Sequence, residues 1–360
     1  MSISLPPPRP AIRLLQRQHQ EGEQGHHTGR EASRPLIRKE AAVPPDAFPG
    51  ARDVETPYGT TKVFEWGPED GEKVLLIHGM STPSIALGDM AWEMVGKGYR
   101  VMLFDLFGRG YSDAPTDIPY DERLYNTQIL LVLASSSLPW TGAAAFHILG
   151  YSLGGALAVA FAAYHSNLLR SVTAICPAGL VRPSHLGWED RLYWRSWLPE
   201  WFLRPILRRR LQPVLWKGEE LPLEVETVHW DLVPCSVEEA YPRVGDVMEW
   251  QLEANGAFAH TYLSTLRHAP VYGQHDGIWK LLGDRMARNR EHGQGLGRLC
   301  LILGENDALT VRDEWTEDSK AVLGEDGVDI HVVKGHHSIA MTKGREVANI
   351  AINSWREGQR

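Results

Sequence analysis

Ser152 lies in Gly150-Tyr151-Ser152-Leu153-Gly154-Gly155, after the apolar run Ala145-Phe146-His147-Ile148-Leu149 and before an Ala-rich stretch at 156–163. An apolar run, a Gly-x-Ser-x-Gly hinge and an Ala-rich stretch read as strand, sharp turn and helix, which makes Ser152 a candidate nucleophile. The pattern needs glycine on both sides because the serine backbone is strained there and side chains would collide with the neighbouring strand and helix. Taken alone, the same letters also describe an ordinary Gly-rich turn.

A serine hydroxyl is a poor nucleophile at neutral pH, so it requires a base within hydrogen-bond reach and a third group that orients the base. Histidine suits the first role because it takes and returns a proton near neutrality, and a carboxylate suits the second. Downstream, Leu299-Cys300-Leu301-Ile302-Leu303 runs into Gly304-Glu305-Asn306-Asp307, and Asp329 to Lys334 ends in Gly335-His336-His337. Upstream, Lys73-Val74-Leu75-Leu76-Ile77 ends in His78-Gly79-Met80-Ser81-Thr82, a loop suited to an oxyanion hole. Developing charge on a substrate carbonyl calls for preorganised donors, here the backbone N–H groups of Met80 and Leu153. The helix starting after Ser152 turns its positive N-terminal end to the same place.

These elements must be positioned by a sheet. Tyr99 to Phe104 reads as a further strand leading into Asp105-Leu106-Phe107-Gly108-Arg109-Gly110-Tyr111-Ser112, and Ser171 to Cys176 as another that ends without a carboxylate. Residues 52–68, with Val54, Val63, Phe64 and Trp66 around Tyr58-Gly59-Thr60, predict an initial antiparallel hairpin.

Four motifs in this order, each at the carboxyl end of an expected strand, resemble the α/β-hydrolase superfamily from about residue 52 to residue 358, with a divergent middle. The resemblance implies an α/β fold: a doubly wound, mostly parallel sheet of about eight strands with a helical lid inserted after the sixth. It implies that Ser152 is the nucleophile, Asp307 the acid and His336 the base, since the family histidine directly follows such a glycine; His337 is the competing choice. Gly150 and Gly154 shape the elbow, while His78 and Gly79 support the oxyanion loop. Asp105, Gly108, Gly110 and Ser112 are expected to build their loop. A serine nucleophile disfavours the branches that form an alkyl ester on a carboxylate.

The expected organisation is an extension at 1–45 rich in Pro, Gln and His, read as disordered, a core at 46–179, a lid at 180–297 and the rest of the core at 298–360. Eight of the thirteen tryptophans fall in the lid, and Trp188, Trp194 and Trp197 are candidate substrate contacts. Trp194 to Arg210 mixes aromatic, aliphatic and basic residues in a way that admits a membrane surface, although Pro199, Pro205 and Pro213 should break it into short segments.

Composition narrows the function. The chain has 360 residues, is 43% hydrophobic and 23% charged and carries a net charge of −8, which suits an enzyme with a sizeable core and argues against nucleic-acid binding. Three cysteines, Cys176, Cys235 and Cys300, read as buried thiols of a reducing compartment, and no Cys/His spacing indicates a metal. The expected location is cytoplasmic, with a mitochondrial alternative from Arg9, Arg13 and Arg17, and a peripheral-membrane one. The expected activity is cofactor-free cleavage of an apolar or aromatic carboxylic ester, of esterase, lipase or lactonase type, through an acyl-Ser152. The alternatives are carbon–carbon bond hydrolysis with the same triad and a non-catalytic binding protein that keeps the fold.

Overall fold

Strands buried on both faces are apolar at every position, and here successive residues split between two cores. Val74 and Leu76 pack on one side of the sheet while Leu75 and Ile77 pack on the other; Val101 and Leu103 part in the same way from Met102 and Phe104. Fully burying such a side chain stabilises the fold by roughly 1.5–3 kcal/mol. In the computed structural model, residues 11–12, 41–185, 187–193, 197–213, 230–237, 241–293 and 295–357 are described.

These form eight strands: β1 (Arg52–Thr56), β2 (Gly59–Trp66), β3 (Lys73–Ile77), β4 (Arg100–Phe104), β5 (Phe146–Tyr151), β6 (Leu169–Ile175), β7 (Leu299–Gly304) and β8 (Val328–Val333). Their order across the sheet is β8-β7-β6-β5-β3-β4-β2-β1. The β1–β2 hairpin and the β2–β4 pair are antiparallel, and every other pairing is parallel. The expected fold class is therefore the observed one. A separate two-residue pairing joins Ala11–Ile12 to Ala114–Pro115.

Helices cover both faces. On one lie α1 (Gly88–Gly96) and, near the C-terminus, a helix at Gly344–Glu357 whose Val347, Ala351 and Trp355 join the core that holds Leu76. On the other lie α2 (Glu122–Ala134) and α3 (Leu153–His165). Asp121 caps α2 by accepting from the N–H groups of Arg123 and Leu124. Helix α3 is buried from Leu153 to Ala163, and its glycines and alanines let it lie close to the sheet.

Between β6 and β7 come α4 (Trp188–Tyr193), α5 (Glu200–Leu211), α6 (Val244–Ala254), α7 (Phe258–His268) and α8 (Ile278–His292). Helix α8 packs on α3 and on α9 (Arg312–Leu323), with Trp279 against Trp315 at 5.4 Å, so this tryptophan serves the sheet's flank. Helices α6 and α7 instead bond to the loops leaving β3 and β4. Gln251 accepts from the Gly110 N–H and donates to the Ser81 carbonyl, and Asn255 donates to the Gly108 carbonyl.

Two expectations differ locally. Pro199 and Pro213 do delimit α5, but Pro205 lies inside it and the helix runs on. Pro205 is exposed, and lacking an N–H it leaves the Trp201 carbonyl without its intrahelical donor. Val43, assigned to the extension, is only 4% exposed and packs in the core, and its carbonyl accepts from the Tyr111 hydroxyl. The rest of the extension, apart from residues 11–12 and 41–45, lies outside the described residues. Among the described residues no helix is long and apolar enough to cross a membrane.

Candidate active site

Ser152 follows the last residue of β5 and precedes the first residue of α3, with φ +55° and ψ −116°. A non-glycine residue in that region costs roughly 1–3 kcal/mol, so the surroundings must enforce it. They do so through the backbone: the Ser152 N–H donates to the Ile175 carbonyl at 2.9 Å, and its carbonyl accepts from the N–H groups of Gly155 and Ala178 at 3.0 and 2.9 Å. The flanking glycines are required by space. A Cβ on Gly150 would stand 1.9 Å from the Gly154 carbonyl oxygen, and one on Gly154 would stand 2.1 Å from that of Ile77.

Asp307 follows β7 in a loop that closes on its own carboxylate. One oxygen accepts from the N–H groups of Leu309 and Thr310 at 2.8 and 3.1 Å, and the other from the Thr310 hydroxyl. That second oxygen also meets His337 Nδ1 at 2.8 Å, and His337 Nε2 lies 3.0 Å from Ser152 Oγ. Burial alone would raise the Asp307 pKa, but the facing His337 and these donors outweigh it and hold the group below the usual carboxylate range. With the carboxylate ionised, Nδ1 is the donor and Nε2 presents its lone pair to the serine hydroxyl.

His336, the histidine favoured from sequence, does not reach Ser152. Its Nδ1 meets the Asn306 carbonyl at 3.0 Å instead. The reason is the exit from β8. The Gly335 carbonyl is fixed by the Asn306 N–H at 2.9 Å, and the His336 carbonyl accepts from Ile339 as the next turn begins. One further residue is thereby used before the chain faces the sheet edge, so the histidine two places after the glycine turns inward.

The loop after β3 is held by His78. Its Nε2 accepts from the Leu106 N–H at 2.8 Å, which leaves Nδ1 protonated to donate to the Gly79 carbonyl at 2.7 Å. Burial pushes the His78 pKa down to about 3, in keeping with this neutral tautomer. All peptides here are trans. The Met80 N–H, which shares a plane with the Gly79 carbonyl, therefore points away from His78. The Leu153 N–H, at the first position of α3, has no acceptor within the helix. Gly79 lies beside Ser152: a Cβ there would sit 3.4 Å from the serine Cβ.

Arg109 completes this loop and was missed from sequence. Fully buried, its Nε donates to the Met80 carbonyl at 2.6 Å and its Nη1 to Thr261 Oγ1 of α7 at 2.7 Å. The guanidinium lies 5.2 and 5.5 Å from the ring centres of Phe258 and Tyr262. The available signal was a lone arginine between Gly108 and Gly110 in a loop leaving a strand. Asp105 accepts from the Ser84 and Tyr111 N–H groups, as expected of a residue that builds its loop.

The aromatic candidates fare differently. Trp197 is 74% exposed, turned to the surface rather than into a pocket. Trp188 lies in α4 with its side chain outside the description, and Trp194 is outside the described residues. As for metal ligation, Cys176, Asp307 and His337 bring ligand atoms within 4.8 Å, as do Cys300, Asp329 and His331. In both groups the carboxylate and imidazole already engage each other at 2.8 Å, and burial raises the thiol pKa, to about 12 for Cys300.

A family model described as alpha/beta hydrolase fold matches residues 74–213. The probable lysophospholipase BODYGUARD 4 of Arabidopsis thaliana is 31% identical over 149 residues, 41% of this chain and 31% of that protein. Lipase 1 of Psychrobacter immobilis is 31% identical over 115 residues, 32% of this chain and 34% of its own length. The matches therefore span about a third of these curated relatives, at 31% and 34%. Among solved structures, a thermophilic esterase from Thermogutta terrifontis superposes with a TM-score of 0.58 at 16% identity, covering 86% of this chain and 98% of that one. Given the sheet order, the serine elbow that follows β5 and a family match reaching from β3 past the end of α5, the chain has the α/β-hydrolase fold.

Proposed function

We propose that this protein is a serine hydrolase that cleaves a carboxylic ester of esterase, lipase or lactonase type through an acyl-Ser152, with His337 as base and Asp307 as orienting carboxylate. The observation that carries the reading is the continuous chain from Asp307 Oδ2 through His337 to Ser152 Oγ, at 2.8 and 3.0 Å. As Oγ attacks the acyl carbon, its proton passes to His337 Nε2 and the carbonyl electron pair moves onto oxygen. The Met80 and Leu153 N–H groups receive that oxyanion, and Asp307 stabilises the imidazolium. Collapse expels the alcohol, which takes the proton from Nε2. Water then repeats the cycle on the Ser152 ester and frees the acid.

In this reading, the chain between β6 and β7 is a lid that selects an apolar or aromatic acyl group, supported by the bonds from α6 and α7 to the loops beside Ser152. Three catalytic groups in hydrogen-bond sequence are more than a binding protein requires. A purified Ser152→Ala variant should lose p-nitrophenyl ester turnover while keeping the parent melting temperature. Turnover at the parent rate overturns the assignment. Turnover confined to a diketone-like substrate, with carboxylate and ketone as products, would favour carbon–carbon bond hydrolysis by the same groups.

A further inference from the structure

Helix α5 is apolar on two opposite faces. At about 100° per residue, Leu203, Leu207 and Leu211 form one stripe, and all three are buried. Trp201, Phe202, Pro205 and Ile206 fall on the opposite side, and all are exposed, Trp201 by 73%. Trp201 and Phe202 meet edge-on at 6.2 Å, and the exposed Trp197 stands just before the helix. The outward face of a helix packed on a protein is ordinarily polar, and among the described residues this second apolar face has no partner.

Its border identifies the chemistry of the partner. Arg204 and Arg208 lie on one flank, Arg210 on the other and Arg209 within the face, a strongly basic patch on a chain of net charge −8. Arg204 is tied to Glu200 at 3.0 Å, and Arg210 lies 5.7 Å from the Tyr193 ring centre. Arg208 and Arg209 have no carboxylate in ion-pair contact among the described residues. Tryptophans suit the headgroup level of a bilayer, and arginines beside them suit lipid phosphates. A protein partner would need acidic groups to match; an anionic bilayer supplies negative charge and an apolar layer together.

We propose that the exposed face of α5 docks on the surface of an anionic phospholipid bilayer, Trp201, Phe202 and Ile206 entering the interface and Arg208 and Arg209 meeting phosphates. The fold stays on one side of the membrane and α5 lies in the interfacial plane. The proposal stands independently of the reaction at Ser152, because vesicle binding is read without turnover.

Co-flotation of the full chain with vesicles of phosphatidylcholine alone, and of phosphatidylcholine mixed with phosphatidylglycerol, tests it. Binding to the mixed vesicles is expected, weakened by salt, with a blue shift of tryptophan emission. Trp201→Ser with Phe202→Ser should lower partitioning by about tenfold or more, and so should Arg208→Gln with Arg209→Gln. The second pair leaves the apolar face intact, so it reports on charge even if the first disturbs folding. Absence of binding to mixed vesicles, equal binding to neutral ones, or unchanged binding of the arginine pair overturns the proposal. Self-association that the aromatic pair abolishes, without vesicle binding, would overturn it in favour of a second copy of the chain.

Discussion

His337 Nε2 lies 3.0 Å from Ser152 Oγ, while its neighbour His336 turns its ring to the Asn306 carbonyl. The two histidines should therefore behave very differently. His337→Gln is expected to lower kcat on a p-nitrophenyl ester by roughly 1,000-fold or more, because the serine loses its proton acceptor. His336→Gln should stay within about threefold of the parent. Comparable losses in both variants, with unchanged melting temperatures, would contradict the assignment.

The same pair shows how far sequence could be read. The elbow, the strands and Asp307 were legible because each is a local pattern: period, glycine hinge, acid beyond a strand. The choice of histidine was not, since it depends on how the Gly335 carbonyl is tied to a loop 29 residues earlier, at Asn306. Arg109 was hidden for a similar reason. Its partners Met80 and Thr261 lie 29 and 152 positions away. Trp197 faces solvent, and an aromatic residue in an insertion carries no sign in the sequence of which way it faces.

Arg109 should act on the oxyanion through Met80. Arg109→Lys keeps the charge but cannot reproduce the contacts to both the Met80 carbonyl and Thr261, and should lower kcat by about tenfold to a hundredfold with KM little changed, a fraction of what losing an oxyanion donor costs. A rise in KM at constant kcat would instead mean that Arg109 serves substrate binding.

The elbow glycines differ from Gly79 in the space around them. In a helix, alanine normally gains about 1 kcal/mol over glycine. Gly154→Ala should nevertheless destabilise by about 3 kcal/mol or more, because its Cβ would stand 2.1 Å from the Ile77 carbonyl oxygen, and neither backbone can yield. Gly79→Ala meets side chains rather than backbone, the edge of the Tyr151 ring at 3.2 Å and the Ser152 Cβ at 3.4 Å, and urea unfolding should show a smaller loss.

His78 gives a pH signature. Its folded pKa is pushed down to about 3 by burial, against about 6.5 in the unfolded chain. Above the unfolded value both states are neutral and pH has no effect through this group. Between the two values only the unfolded state binds the proton, so stability falls with acidification at up to about 1.4 kcal/mol per pH unit. His78→Gln should remove about one proton's slope from unfolding free energy measured between pH 6 and pH 4. An unchanged slope would mean that His78 is charged in the fold.

The most direct test of the central claim is rapid quenching of the enzyme with p-nitrophenyl acetate, followed by intact-mass measurement and peptide mapping. A burst of p-nitrophenolate equal to the enzyme concentration is expected, with a single acetyl group on the peptide that contains Ser152. An acetyl group mapped elsewhere, or a burst that survives in Ser152→Ala, would contradict it.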